Sequence, residues 1–215
     1  MTALQWRLLP GVRPGVRGTW RQRYAVVHLR QGQLDCASGV HALLMALLVV
    51  GTASRPAIRL LGLAPDDGLA LMWNKARESY FVGADVEVLT ELLGMLAGRV
   101  SFKVHQGSTS STLSFAQSRL AGNEAVLLGV GTHRQAGHHW TLAVGVETLA
   151  SESRSLPLAL LCLDSAGEAP ELAPCNARLE LNMPSRTAAC RHYRLSGGAL
   201  RTVHCSAAIS IARKR

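Results

Sequence analysis

Two kinds of apolar spacing divide the chain. Up to about residue 120 the apolar positions suit helices; beyond it they form short runs bounded by Gly, Pro or Ser. Residues 38–50 predict a helix that is apolar on nearly every side, and therefore central, stopped by Gly51. Its apolar core, residues 42–50, falls well short of the about 20 residues a membrane span needs. Asp85 is placed to cap a second helix that carries Val86, Leu89, Leu92, Leu93 and Leu96 and closes at Gly98. Pro65-Asp66-Asp67-Gly68 reads as a turn, residues 106–111 as a polar loop, and residues 113–120 as a short helix.

Residues 24–29 are β-prone, and residues 125–130, 140–146 and 158–163 predict strands. Residues 178–181 predict another, and Ser196-Gly197-Gly198 between two β-prone runs predicts a hairpin. Helices first and a mainly antiparallel sheet afterwards is an α+β arrangement.

Composition adds bounds. With 215 residues, 48% of them hydrophobic, the chain can bury a full core without a metal or disulfide staple. The expected division is an irregular basic arm over residues 1–22, punctuated by Arg, Gly and Pro, and one domain over residues 23–215. The formal net charge of +9 is concentrated early: Arg7, Arg13, Arg17, Arg21, Arg23, Arg30, Arg55 and Arg59 face the single acid Asp35 in the first 60 residues. Those arginines are spread out and form no dense block, so nucleic acid is disfavoured as a partner. The five cysteines, Cys36, Cys162, Cys175, Cys190 and Cys205, are odd in number, and no secretory signal opens the chain. Both point to reduced thiols in a cytoplasm.

Three segments carry candidate chemistry. Asp35-Cys36-Ala-Ser-Gly runs into the central helix, where a thiol would feel the positive helix end. Gly137-His138-His139-Trp140 opens an alternating strand, which turns His139 to the face opposite Trp140. The apolar strand ending Leu163-Asp164-Ser165 puts a carboxylate where it could orient an imidazole. Cys175, Cys190, His192, His204 and Cys205 could supply zinc ligands, but no Cys-x-x-Cys pair occurs. No metal or other cofactor is expected.

The order Asp35-Cys36, residues 42–45, residues 122–130, residues 137–145 and Leu163-Asp164 resembles that of papain-like cysteine peptidases. It is most similar to the bacterial peptidases that remove double-glycine leaders from bacteriocin precursors, and to their stand-alone relatives. The likeness departs at Ala37 and Ser165, where that family has Gly and Pro, and at Glu124, where it has Pro.

The resemblance implies a papain-like fold, with a helical half carrying Cys36 packed on an antiparallel sheet carrying His139 and Asp164. It implies a thiol peptidase that cleaves a peptide or protein substrate through a thioester. Cys36 would be the nucleophile, His139 the base and Asp164 its orienter. Gln31, with Gln33 in reserve, and the Cys36 N–H would hold the oxyanion. The alternatives are a catalytically degenerate relative, an acyl-transferring one akin to deamidases and transglutaminases, and a non-enzymatic basic domain that binds peptide or nucleic acid.

Overall fold

The computed structural model describes residues 3–13, 17–20, 23–33, 35–61, 68–132, 138–150, 155–182 and 190–214. The turn expected at Pro65-Asp66-Asp67 lies outside them, as does Gly137.

The centre of the molecule is a helix, α1 (Ser38–Val49), buried along almost its whole length. The Val50 N–H still bonds to Ala46, and Gly51 then turns away with φ +73, a left-handed conformation that costs glycine little. Two short helices absent from the sequence reading follow, α2 (Arg55–Arg59) and α3 (Gly68–Ala76). In α4 (Val86–Gly94) the Asp85 carboxylate accepts the Val88 N–H at 2.9 Å, and Val86, Leu89, Leu92 and Leu93 are buried. The helix α5 (Thr109–Ala121) starts four residues earlier than its apolar spacing suggests. Ser108 caps it, and Thr109 is buried, its hydroxyl accepting the Cys205 N–H. A hydroxyl-rich stretch that reads as loop is thus the first turn of a helix.

Among the described residues ten strands accompany these helices: β1 (Ala3–Leu8), β2 (Arg17–Trp20), β3 (Arg23–Val26), β4 (Val100–Gln106), β5 (Ala125–Gly131), β6 (His139–Ala150), β7 (Ser155–Leu163), β8 (Ala177–Glu180), β9 (Arg191–Leu195) and β10 (Leu200–Arg213). Among the described residues, β2 and β3 pair only with each other. Residues 3–8, read as irregular, form a regular antiparallel pair with β6. Glu147 to Ala150 continue β6, and Ser155 opens β7.

The α+β expectation of a papain-like helical half on an antiparallel sheet is corrected by the strand pairing. Neighbours run β6-β5-β10-β9-β8-β7, and β7 pairs back onto β6, so six strands close into a barrel. Helices flank that barrel instead of forming the second half of a two-part papain-like molecule. Closure has identifiable causes. The 14-residue β10 pairs β9 at its start, β5 along its middle and β4 towards its end, with a register shift between Cys205 and Ala207. Two more shifts in β6, at Ala143/Gly145 and Glu147/Thr148, bend it around β7. Such bulges bend a strand and raise its twist, which a small barrel requires.

Pairing register sorts the side chains. Thr141, Leu160, Cys162, Leu179 and Tyr193 share the face that fills the barrel. Trp140 and Leu142 point outwards, towards α1. The indole of Trp140 donates to the Ala84 carbonyl at 2.7 Å, and its backbone N–H donates to Ser38 Oγ at 3.1 Å. These two bonds tie the barrel to the start of α1 and to the segment before α4.

Candidate functional site

At the mouth of the barrel, β6 begins with His139, β7 ends on Asp164, and β9 supplies Tyr193. His139 Nε2 lies 2.8 Å from Asp164 Oδ1, which also accepts the Ala166 N–H at 2.8 Å. Asp164 Oδ2 accepts the Tyr193 hydroxyl at 2.5 Å. The carboxylate is almost fully buried, whereas the His139 side chain keeps a third of its surface open. Burial alone would push the Asp164 carboxyl up. The hydrogen bond and charge of His139, the Tyr193 hydroxyl and the Ala166 N–H outweigh that and hold it below the ordinary value. The same burial and the same carboxylate push the Tyr193 phenol well up, so it stays a donor.

The backbone of Asp164 is equally constrained. Its N–H donates to Asn176 Oδ1 and its carbonyl accepts Asn176 Nδ2, both at 2.7 Å, while His28 Nε2 sits 2.9 Å from that carbonyl. Burial lowers the His28 imidazole, favouring its neutral form.

Across from this mouth, the segment before α1 forms the opposite wall. A cleft of about 450 Å³ is lined by Gln31, Cys36 and Ser38 on that side, by the backbone of Gly83 and Ala84, and by His139. Asp35, Val82, Asp85 and His138 complete its rim. Burial and the neighbouring His204 lower the His138 imidazole, whose Nε2 is 2.6 Å from Ser206 Oγ. Gln31, Cys36 and His139 therefore face one cleft, and Asp164 stands behind His139.

The thiol peptidase expected from the resemblance is nevertheless corrected. A Cys-His-Asp triad needs the thiol in the hydrogen-bonded chain and a free N–H at the nucleophile to hold the oxyanion. Here the described chain runs from Tyr193 through Asp164 to His139 and stops: Cys36 is exposed, and no hydrogen bond or ion pair of its thiol is described. The Cys36 N–H donates to the Tyr80 carbonyl at 2.8 Å, so it is not available to an oxyanion. The helix begins only at Ser38, and the Asp35 carboxylate accepts the Ala37 N–H at 3.1 Å and the Gly32 N–H at 2.6 Å. A negative charge thus occupies the helix end that was to activate the thiol. Gln31, the expected oxyanion donor, lines the same cleft, with its side-chain oxygen accepting the Ser165 hydroxyl at 2.7 Å; nothing described engages or excludes its amide N–H as a donor there. The labels hydrolase, thiol protease and catalytic triad fall with that assignment, and the closed barrel removes the papain-like frame. Deamidation or acyl transfer would draw on the same thiol.

The other cysteines are no better placed. Burial pushes Cys162 well up, Cys175 to about 11 and Cys205 to about 12, so these thiols stay protonated. Among the described residues no three His, Cys, Asp or Glu side chains gather closely enough to hold a metal ion. No helix among them is long and apolar enough to cross a membrane.

Several residues of the site carry no sequence signal that singles them out. Tyr193 was legible only as part of a hairpin strand, and the alternation Tyr193/Leu195 gives its facing but not its partner. Asn176 and Tyr80 lie in loops whose contacts depend entirely on long-range packing. Compared with protein-family models and with curated proteins, the chain matches none.

Proposed function

We propose that the chain is a non-enzymatic binding domain that takes a peptide in the cleft between α1 and the barrel mouth. The observation that supports this best is the composition of the lining. The polar residues Gln31, Ser38, His138 and His139 line the cleft together with Gly83, Ala84 and the apolar Val82. Val82 is 83% and its neighbour Phe81 76% exposed, an apolar step beside a polar floor. A mostly pre-formed concavity with a few convergent polar groups suits an extended chain.

Charge separates peptide from nucleic acid. The cleft carries Asp35 and Asp85, and no Arg or Lys is among its described lining, so the excess positive charge does not converge there. A phosphate backbone needs the opposite arrangement. The five free cysteines fit a reducing, cytoplasmic setting.

The test is selection of dodecapeptides displayed both as N-terminal and as C-terminal fusions, followed by titration of the resynthesised winners with the purified protein. Saturable binding is expected, weakened about tenfold by Val82→Arg, since burying a valine contributes about 1.5 kcal/mol or more. Failure of every selected peptide to bind, or equal binding by the variant, would remove the cleft from consideration.

A further inference from the structure

A second cavity, of about 300 Å³, opens at the barrel mouth beside the cleft, with Gln31 and His139 in the lining of both. Its far wall is built from Leu195, Gly198, Ala199, Val203 and, at the edge, Arg201. Like Arg194 on β9, that arginine has no described acid partner, whereas three others do. Arg178 pairs with Glu147 and Glu180, Arg30 with Glu168, and Arg119 with Glu124. No acid, hydrogen bond or ion pair is described for the Arg201 guanidinium, and it stands on an exposed stretch of β10.

We infer that this cavity receives the C-terminal carboxylate of the bound peptide, with the Arg201 guanidinium as its counter-ion and the last side chain seated against Gly198 and Ala199. The inference rests on the reading of the cleft as a peptide site. Three features support it. The guanidinium presents paired donors that match a carboxylate, and no described side chain competes for them. Asp164, the one acid in the described cavity wall, has described hydrogen-bond partners on both oxygens, His139 and Ala166 on one and Tyr193 on the other. Finally, the neighbouring cavities differ in charge: Asp35 and Asp85 line the cleft, and Arg201 lines the second cavity. A peptide whose chain ends at Arg201 puts its anionic terminus in the second cavity and its preceding residues along the cleft.

The experiment uses the peptides selected as C-terminal fusions, synthesised once as the free acid and once as the carboxamide, and titrated against the full chain. The free acid is expected to bind wild type at least tenfold more tightly than the amide. Arg201→Gln should bring the acid down to the affinity of the amide and leave the amide within twofold of its wild-type value. Arg201→Lys, which keeps the charge, should retain part of the preference. A melting curve for each variant shows whether it is folded.

Equal binding of acid and amide to wild type overturns the inference while the peptide site itself stands. A loss in Arg201→Gln that is the same for both forms overturns it as well. If neither form binds wild type, the peptide site fails, and the carboxylate pocket with it.

Discussion

Asp164 has a depressed carboxyl because three donors converge on it inside the barrel mouth. A group whose pKa is lower folded than unfolded contributes stability above its unfolded value, and that contribution disappears as pH falls through the folded one. Wild type should therefore lose melting temperature as pH drops below about 4, the ordinary aspartate range. Asp164→Asn should start lower and show a shallower decline. Tyr193→Phe removes one donor to that buried charge and should cost about 1.5–3 kcal/mol in denaturant unfolding. A cost near zero would mean that the hydroxyl bond is not made. The thiols give a third check. Cys36 is the exposed one, so a native-state thiol reagent should label it well before the buried Cys162, Cys190 and Cys205. At this scale the sequence was informative about facing and poor about partners. Strand alternation turned His139 away from Trp140, as the register shows. Nothing local foretold that the Cys36 N–H would be taken by Tyr80, because that bond is set by the packing of the segment before α4 against the start of α1.

Elements with strong local chemistry were legible. The largely apolar α1 with its terminal glycine, the Asp85 cap of α4 and the turn at Gly197 (φ +71) all have causes within a few residues. Asp85→Ala should lower stability by about 0.5–2 kcal/mol, read as a shift in the denaturant midpoint. In β4 the signal was present although no strand was expected there: Val100, Phe102 and Val104 alternate with Ser101, Lys103 and His105, the period of a strand with one exposed face. Barrel closure escaped because it depends on β7 having partners on both sides and on bulges in β6 and β10, which spacing along one strand does not reveal. Gly145 sits at one such bulge, and a side chain there would place its Cβ 2.7 Å from the Arg7 carbonyl oxygen of β1. Gly145→Ala should thus loosen β1 from the barrel, at a cost of about 1–3 kcal/mol and with faster amide exchange over residues 3–8. Unchanged exchange there would mean that the two strands are not in contact.

For the whole molecule, the positive charge of the chain and the character of the cleft between α1 and the barrel mouth point in different directions. The net charge of +9 invites an acidic partner, yet the cleft is floored by histidine, amide and hydroxyl groups and edged by Asp35 and Asp85. Composition therefore describes the surface at large, and only the folded arrangement says what meets at one place. The order of Cys36, His139 and Asp164 along the chain located that place, since Cys36 and His139 line the cleft and Asp164 backs His139. It did not define the chemistry there, because the thiol is left out of the hydrogen-bonded chain and its N–H is occupied. The central claim is that the cleft holds a peptide without cutting it. The most direct measurement is to incubate a selected peptide with the protein to equilibrium, quantify binding by calorimetry, and take a mass spectrum of the recovered peptide. Saturable binding with the peptide recovered intact is the predicted result; fragments, or no binding at all, would contradict it.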